Sequence, residues 1–317
     1  MSRLPVELAY RLADRPEELR WLIDGLWAEE AVGIVGGEPK CCKSFLALEM
    51  AVSVAAGTSC LRRFAVARPG RVLLFAAEDA LHIVRRRLDG ICRARGLALA
   101  QLDVHVITVP VLRLDIEEHR QSLAETVAEL RPRLLVLDPF VRLHRIDENA
   151  SGEVAPLLAY LRELQRRYRL AVVLVHHARK GGGNLRAGQA LRGSSEFHAW
   201  GDSNLYLRRC GERLTLTVEH RAAASTSGIA LELRVADDDA VALQIADSPQ
   251  PPAAEAPAIS PVARVQRALE AATAPMTVAQ LRTSCRIRNA TLRRILAELA
   301  TAGRIRKSVD GYSLATR

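Results

Sequence analysis

Residues able to bind phosphate are concentrated near the N-terminus, in the run Gly37-Glu38-Pro39-Lys40-Cys41-Cys42-Lys43-Ser44. The run follows an apolar segment (31–35) and precedes a helix-patterned one (45–51). A strand, a loop and a helix with Lys-Ser at the loop–helix junction are the context of a phosphate-binding P-loop. Backbone N–H groups of such a loop and of the helix N-terminus converge on phosphate oxygens. The sequence therefore predicts a nucleotide site over residues 37–44, with Lys43 on the β- and γ-phosphates and Ser44 on Mg²⁺.

One position departs from the G-x-x-x-x-G-K-[ST] pattern, because Cys42 stands where the second Gly belongs. A Cβ at that position crowds the loop where it approaches phosphate most closely. The motif therefore predicts nucleotide binding, whereas fast hydrolysis does not follow from it.

Acidic side chains follow two other apolar segments. Segment 134–137 ends in Asp138, and an acid at a strand end can orient the water shell of Mg²⁺. Segment 72–76 leads to the pair Glu78-Asp79. Glu78 is the candidate general base for the attacking water, and Asp79 is the candidate cap of the following helix. The alternative is that these acids serve only as helix caps or turn residues.

A third apolar segment, 172–175, ends in the paired imidazoles of His176 and His177. Successive strand residues face opposite sides of a sheet, so only one of the two can point at the nucleotide. His177 lies further out and is the candidate γ-phosphate sensor. Metal binding by the pair is the poorer interpretation, because no His, Cys or acid follows at ligand spacing.

Residues 178–188 form a basic, Gly-rich stretch that cannot pack a core. A solvated linker, a nucleotide lid and a DNA-contacting loop are the competing roles. Its cations alternate with Gly and not with acids, which favours DNA contact by Lys180 and Arg186.

Arg192 follows in the run Arg192-Gly193-Ser194-Ser195. An Arg on a turn near a sheet edge is suited to reach the γ-phosphate held by a neighbouring subunit, as an arginine finger. Pairing with Glu196 or Asp202 of its own chain is the alternative.

The elements that must position these residues alternate along the chain. Strands are expected at 31–35, 72–76, 104–108, 134–137 and 171–175, with helices at 80–96, 120–130 and 153–168. Such alternation predicts an α/β fold with a mostly parallel sheet sandwiched by helices. An antiparallel extension is expected at 202–208, 214–219, 231–235 and 241–245. Residues 1–30 read as a polar, partly helical lead-in with an apolar edge from Trp21, Leu22, Ile23 and Leu26.

A Pro/Ala-rich run over 248–260 is expected to be a semi-rigid linker, which divides the chain into domains 1–247 and 261–317. The second segment predicts helices at 262–272, 277–285 and 289–302, then strands at 304–308 and 312–314. Three helices followed by a hairpin are the arrangement of a small winged-helix domain. Thr277 and Asn289 are the expected N-caps, and Asp310-Gly311 the expected hairpin turn.

The basic charge of the chain is concentrated in that second segment. Of the formal net charge of +9, residues 261–317 carry +8, from eleven Arg and Lys against three acids. This predicts a polyanionic partner, DNA, although a solvated Arg-rich helix face is the alternative. The candidate DNA-binding residues there are Arg288, Asn289, Arg293, Arg294 and Lys307.

The remaining composition, 49% hydrophobic and 26% charged, is ordinary for a globular protein. The sequence contains no run of about 18 apolar residues, so no membrane span is expected. The first residues lack an apolar signal core, which favours a cytoplasmic protein. The six scattered cysteines predict neither disulfides nor a zinc site.

In their order and spacing these motifs resemble the RecA-like ATPases of the RepA group, which are plasmid hexameric replicative helicases. The resemblance runs from Trp21 to Arg209 and covers the P-loop, Glu78-Asp79, Asp138, His176-His177 and Arg192. It implies ATP and Mg²⁺ as ligands, Lys43, Glu78 and Arg192 as catalytic residues, and Asp138 beside Ser44 on the metal. It also implies a hexameric ring with ATP at each subunit interface. The C-terminal module is not part of it.

Two functions follow as hypotheses. The first is an ATP-hydrolysing, DNA-associated ring motor of helicase type, acting in DNA replication. The second is an ATP-gated DNA-binding initiator, loader or regulator with slow hydrolysis, which Cys42 would favour. A recombination mediator or signalling ATPase is a weaker third.

Overall fold

The structure is a computed structural model that describes residues 6–12, 20–177, 196–235, 241–246, 261–272, 274–285, 289–308 and 310–315. The chain divides into two compact units, Met1–Ser248 and Pro249–Arg317. The boundary falls at the start of the expected linker. The three-part division with a linker over 248–260 stays a prediction, because those residues lie almost wholly outside the described ones.

The first unit is built on a nine-stranded sheet that is parallel over most of its core. Its spatial order is β11-β10-β9-β8-β3-β7-β6-β4-β5. The parallel part comprises β3 (Val32–Gly37), β4 (Val72–Ala76), β5 (Val104–Val106), β6 (Leu134–Asp138) and β7 (Ala171–His177), joined on the other side of β3 by β8 (Ser203–Cys210). The antiparallel extension comprises β9 (Arg213–His220), β10 (Thr226–Val235) and β11 (Val241–Ile245).

Helices cover both faces of this sheet, as the runs of buried Val, Ile and Leu on its strands require. One apolar core packs under α1 (Lys43–Ala56) and α2 (Leu81–Arg93). A second core packs under α3 (Glu117–Leu130) and α4 (Ser151–Tyr168), with Phe197 of the short helix α5 (Glu196–Trp200). The predicted α/β architecture, a mostly parallel sheet sandwiched by helices with an antiparallel extension, is confirmed.

A buried ion pair ties α1 to the chain after α2. Glu49 and Arg95 contact each other with only 1% and 7% of their side chains exposed. Arg95 also donates to Ser53 Oγ (2.9 Å) and Thr58 Oγ1 (3.0 Å), and the N–H of Leu61 donates to Glu49 at 3.0 Å. Burial lowers the pKa of Arg95 to about 10, and the ion is retained because these polar partners replace water.

The expected partly helical lead-in holds only in part, because Ala9–Arg11 form a 3₁₀ turn whereas the segment directly before β3 is not helical. Residues 20–30 contain an antiparallel hairpin, β1 (Trp21–Ile23) and β2 (Trp27–Ala28), which turns at Asp24-Gly25. Leu22, Ile23, Leu26 and Trp27 are fully buried. The Ala28 N–H donates to Ser203 Oγ at 3.1 Å, which joins the hairpin to β8. Tertiary packing of the apolar side chains has therefore overridden local helical preference.

The second unit contains three helices and a hairpin. Their bounds are α6 (Pro261–Glu270), α7 (Val278–Cys285), α8 (Asn289–Thr301), β12 (Ile305–Lys307) and β13 (Tyr312–Leu314). Their apolar sides form one core that includes Val265, Leu281, Leu292 and Ile305. The elements are those expected in sequence, while their identification as a winged-helix domain stays a prediction.

The caps and the turn of this unit differ in part from expectation. Thr277 Oγ1 accepts from the Gln280 N–H at 3.3 Å while Gln280 Oε1 accepts from the Thr277 N–H at 2.8 Å, a reciprocal cap at the start of α7. Helix α8 begins at Asn289 itself, so Asn289 is not its N-cap. Ser308 and Gly311 exchange backbone hydrogen bonds, so Gly311 closes the hairpin turn instead of forming its tip.

Candidate active site

The loop between β3 and α1 has a backbone that an L-residue seldom adopts. Lys40 and Cys42 lie in the left-handed region, with φ of 65° and 62°, and Gly37 has φ of 156°. Cys42 replaces the second glycine of the motif. It directly precedes the helix and has this left-handed conformation. Glycine reaches such φ values without strain, whereas cysteine does so at a cost of about 1–2 kcal/mol.

The N-terminus of α1 is open to an anion. Cys42 is the N-cap residue and makes no side-chain hydrogen bond to the helix, and no acid occupies the first turn. The first N–H groups of a helix have no partner within it, and the helix dipole adds positive potential there. The loop and helix start therefore fit a phosphate group.

Lys43 is the first residue of α1, directly after this loop, and 5% of its surface is exposed. Its Nζ donates to the Glu38 carbonyl oxygen at 2.8 Å, so the ammonium is folded back along the loop. Burial lowers the pKa of Lys43, while the Asp138 charge opposes that shift. A desolvated cation among backbone N–H groups is suited to hold a polyphosphate.

Asp138 ends β6 opposite the loop and is 9% exposed. Burial raises the pKa of its carboxyl to about 6, with Asp79 and Glu78 adding to the rise, and a hydrogen bond from Ser44 opposes it. The hydroxyl of Ser44 and the carboxylate of Asp138 are hard oxygen donors of the kind that Mg²⁺ takes, usually with waters and phosphate oxygens. The pair therefore fits this metal. Within the described ranges no group of three His, Cys, Asp or Glu side chains could hold a metal by itself.

Glu78 and Asp79 follow β4, which pairs with β6 so that Ala76 lies opposite Asp138. Glu78 lines the same pocket as Lys43 and Asp138. Asp79 does not cap α2 as expected, because Ala80 is the N-cap residue of that helix. Asp79 instead pairs with Arg87, whose guanidinium stacks 5.3 Å from the centre of the Phe45 ring.

The two histidines of β7 have different surroundings. His176 is 1% exposed and stacks on Phe197, with ring centres 4.3 Å apart. His177 is half-buried and lines the pocket beside the P-loop. Strand alternation thus separates a core imidazole from one that faces the site.

These residues converge on one pocket of about 220 Å³. They come from four separate segments of the chain, brought together by the strand order β3-β7-β6-β4. The pocket is lined by Lys40, Cys41, Cys42, Lys43, Ser44, Phe45, Glu78, Arg87, Asp138, Val175 and His177.

The structure does not bring every predicted residue to this pocket. Lys180, Arg186, Arg192 and Arg288 lie outside the described residues, as does the side chain of Asn289. Asp202, one alternative partner for Arg192, already pairs with Arg162 and Arg221. In the second unit, Arg293 and Lys307 are exposed, and Arg294 lies 3.8 Å from Glu298.

Besides Arg87, which lines the pocket, two arginines beside the site were missed from sequence. Arg142 Nε lies 3.1 Å from Glu78 Oε1, and Arg209 Nη2 lies 3.4 Å from Cys42 Sγ. Arg142 follows Asp138 by four residues, which indicates a position near the site but not its contact with Glu78. Arg209 approaches only because β8 pairs with β3, and no sequence pattern indicates that pairing.

Comparison with known proteins gives two findings. A model of a family described as "AAA domain" matches residues 2–183. A solved structure titled "Crystal structure of the RadB recombinase" is similar with a TM-score of 0.49 and 16% sequence identity, over 69% of this chain and 92% of that chain. Separately, none of the described helices is long and apolar enough to cross a membrane.

Proposed function

Because the chain belongs to the AAA domain family, we propose that it binds and hydrolyses ATP in the pocket beside the 37–44 loop. One observation carries this proposal: Lys43, Ser44, Glu78, Asp138 and His177 line or adjoin a single pocket at the open start of α1. This set combines a phosphate cradle, a metal-binding pair and a free carboxylate oxygen. It supplies the groups that phosphoryl transfer to water requires.

Each residue has a distinct role in that reaction. Lys43 leaves the Glu38 carbonyl and holds the β- and γ-phosphates, together with the N–H groups of residues 37–44. Ser44 and Asp138 hold Mg²⁺, which when bound neutralises charge on the phosphates. Glu78 accepts a proton from the water that attacks the γ-phosphate in line with the leaving oxygen. His177, on the strand between β3 and β6, contacts the γ-phosphate and senses its loss.

We further propose that Arg192 of a neighbouring subunit completes the site in a homo-oligomeric, hexameric ring. Among the described residues, Arg87 is the one arginine that lines the pocket, and it is paired with Asp79. A neighbouring subunit is a further source of a cation for the charge of the transition state, besides Lys40, Arg142 and Arg209 of the same chain. The order of the motifs, with Arg192 beyond His177, supports that source.

DNA is the proposed partner of this oligomer. The second unit, proposed to be a winged-helix domain, is proposed to contact the DNA. Support comes from the net +8 of residues 261–317 and from the exposure of Arg293 and Lys307. Arg294, Arg288 and Asn289 are proposed to share in that contact. Lys180 and Arg186 of the basic stretch are proposed as a second contact in the ATPase unit. The motor reading, helicase action in DNA replication, rests on these proposals together.

The second candidate function is an ATP-gated DNA-binding initiator, loader or regulator. The φ of 62° at Cys42 favours it, because a strained, crowded loop is a reason for slow hydrolysis. In this role ATP controls assembly on DNA and little unwinding occurs.

ATPase and strand-displacement assays with single- and double-stranded DNA distinguish the two functions. Turnover stimulated by single strands and accompanied by unwinding supports the motor. Tight duplex binding that depends on ATP, with negligible turnover, supports the regulator. In either case Lys43→Ala is expected to abolish binding of a fluorescent ATP analogue, and intact binding would contradict the site itself.

Deletion of residues 261–317 tests the DNA contact. Binding by phosphate contacts falls steeply with salt, so the deletion is expected to reduce both the affinity and its salt dependence. The matched control is Arg293→Gln with Lys307→Gln in the full chain, which should lower the salt slope by about two phosphate contacts. Unchanged affinity after deletion would place the contact in the ATPase unit.

A further inference from the structure

The carboxylate of Glu78, which follows β4, is held by a side chain from the turn that follows β6. Arg142 Nε donates to Glu78 Oε1 at 3.1 Å. Both side chains are partly open to solvent, with 61% of Arg142 and 45% of Glu78 exposed. An ion pair as open as this adds little to folding stability. We therefore expect the ion pair to determine the position of the Glu78 carboxylate.

The backbone beneath Arg142 is firmly anchored. Arg142 belongs to a short 3₁₀ turn, Phe140–Arg142, directly after β6. Phe140 is fully buried, with its ring 5.2 Å from the ring of Phe197 and 5.9 Å from that of His176. The Leu143 N–H donates to the Phe140 carbonyl oxygen at 2.8 Å. Because the turn is anchored in this way, the backbone that carries the Arg142 guanidinium has a fixed position.

Sheet pairing brings Arg142 and Glu78 together from segments far apart in sequence. Strands β4 and β6 are parallel neighbours with Ala76 opposite Asp138. The Ala77 N–H continues that pairing by donating to the Asp138 carbonyl oxygen at 2.7 Å. The chain after each strand therefore leaves the same edge of the sheet.

We propose that Arg142 is a positioning residue for Glu78. By holding Oε1, the guanidinium limits the rotation of a half-exposed side chain with three rotatable bonds, and it leaves Oε2 for the attacking water. The inference rests on the proposed ATPase function of the pocket. The neighbouring acid, Asp79, is held separately by Arg87, so each acid of the pair has its own arginine.

Steady-state kinetics of Arg142→Gln and Arg142→Lys test the proposal. Misplacement of a catalytic group lowers its effectiveness steeply, so Arg142→Gln is expected to lower kcat about ten- to hundredfold. KM, binding of a fluorescent ATP analogue and Tm should stay near wild type, since Arg142 is exposed and does not line the pocket. Arg142→Lys should recover part of kcat by retaining the charge. Adding Arg142→Gln to Glu78→Gln should cause little further loss.

Arg145→Gln is the matched control, because it removes the same charge from an exposed side chain three residues away. It is expected to leave kcat unchanged. Equal losses from Arg142→Gln and Arg145→Gln would overturn the proposal, since they would indicate a general charge effect. An increase in kcat in Arg142→Gln would also overturn it, because Arg142 would then restrain the base.

A crystal structure with Mg²⁺ and a non-hydrolysable ATP analogue gives a readout that does not need turnover. The wild type should show Glu78 on Arg142, and Arg142→Gln should show Glu78 displaced or poorly ordered. A wild-type structure in which Glu78 is well ordered without contacting Arg142 would overturn the proposal. If wild-type protein has this geometry but hydrolyses no ATP, the proposed function fails while the positioning contact stands.

Discussion

The Arg209 guanidinium donates to the Cys42 sulfur at 3.4 Å, which links β8 to the end of the phosphate-binding loop. The start of the same loop also rests on β8, where Gly37 is paired with Leu207. The loop is thus held at both ends by β8, which pairs in parallel with β3. Substitutions in the loop therefore test both nucleotide binding and this support.

Cys42→Gly is expected to increase ATP affinity about three- to tenfold, because glycine removes the Cβ that crowds the loop where it approaches phosphate most closely. The effect on stability should be small, since relief of strain is offset by the greater freedom of glycine in the unfolded chain. Titration with a fluorescent ATP analogue measures the affinity, and thermal unfolding measures the stability.

Cys42→Ala is the control for that substitution. Alanine keeps the Cβ and the strain and loses only the sulfur contact with Arg209. It is expected to bind ATP no better than wild type. If alanine and glycine improve affinity equally, the sulfur and not the Cβ limits binding.

Gly37→Ala is expected to destabilise the protein by more than about 2 kcal/mol. Gly37 has φ of 156°, and an added Cβ would lie 2.4 Å from the Leu207 carbonyl oxygen. Gly152→Ala is the control, because a Cβ at that helical position meets nothing within 4 Å. The control should be neutral or stabilising by about 0.5–1 kcal/mol. Chemical denaturation compares the two, and similar losses would contradict the close approach of β3 and β8.

Asp138→Asn is expected to stabilise the nucleotide-free protein at pH 7.5 while abolishing hydrolysis. Burial raises the pKa of Asp138 from about 3.8 to about 6 on folding. The folded protein therefore binds this proton more tightly, so the contribution of Asp138 to stability is largest below pH 4 and is lost as pH rises through about 6. A shift of about two pKa units corresponds to at most about 3 kcal/mol.

Denaturation of wild type and Asp138→Asn between pH 4 and pH 8 measures this effect. The stability difference should be near zero at pH 4 and reach its maximum above pH 6. A difference that is constant across the range would show that the charge of Asp138 is not its cause.

Glu49→Gln is expected to cost about 3–5 kcal/mol, because it leaves the Arg95 guanidinium buried without its counter-ion. Asp103→Asn breaks the exposed pair of Asp103 with Arg71, which has 47% and 38% of the two side chains exposed. That control should cost no more than about 1 kcal/mol. Equal costs for the two substitutions in urea unfolding would contradict a special role for burial.

Sequence was sufficient for the parallel sheet because its buried strands are continuous apolar runs. Strand β4 of this sheet occupies the residues expected for it. The same is true of β11 in the antiparallel extension and of β13 in the second unit. The polar residues at strand ends also carried enough information to place Glu78, Asp138 and His177 at one sheet edge. Parallel strands end at a common edge, so a polar residue directly after each apolar run falls near the others.

Other features depended on contacts that no local pattern records. Strands β1 and β2 are three and two residues long, too short for a hydrophobic periodicity to be recognised. Asp24-Gly25 between apolar residues was nevertheless a signal for a turn. The contacts of Arg142 with Glu78 and of Arg209 with Cys42 depend on the spatial order of the strands. Strand order follows from tertiary packing, and it was not deducible from spacing alone.

The hairpin that precedes the phosphate-binding loop has a practical consequence for shortening this chain. Trp27 is fully buried, the Ala28 N–H bonds to Ser203, and the Gly25 carbonyl oxygen lies 3.3 Å from His220 Nε2. A fragment trimmed to start at Val32 would retain every residue of the P-loop motif. It would nevertheless lack the buried side chains that the hairpin contributes to the core under α1, and inactivity of such a fragment would say nothing about the chemistry of the loop.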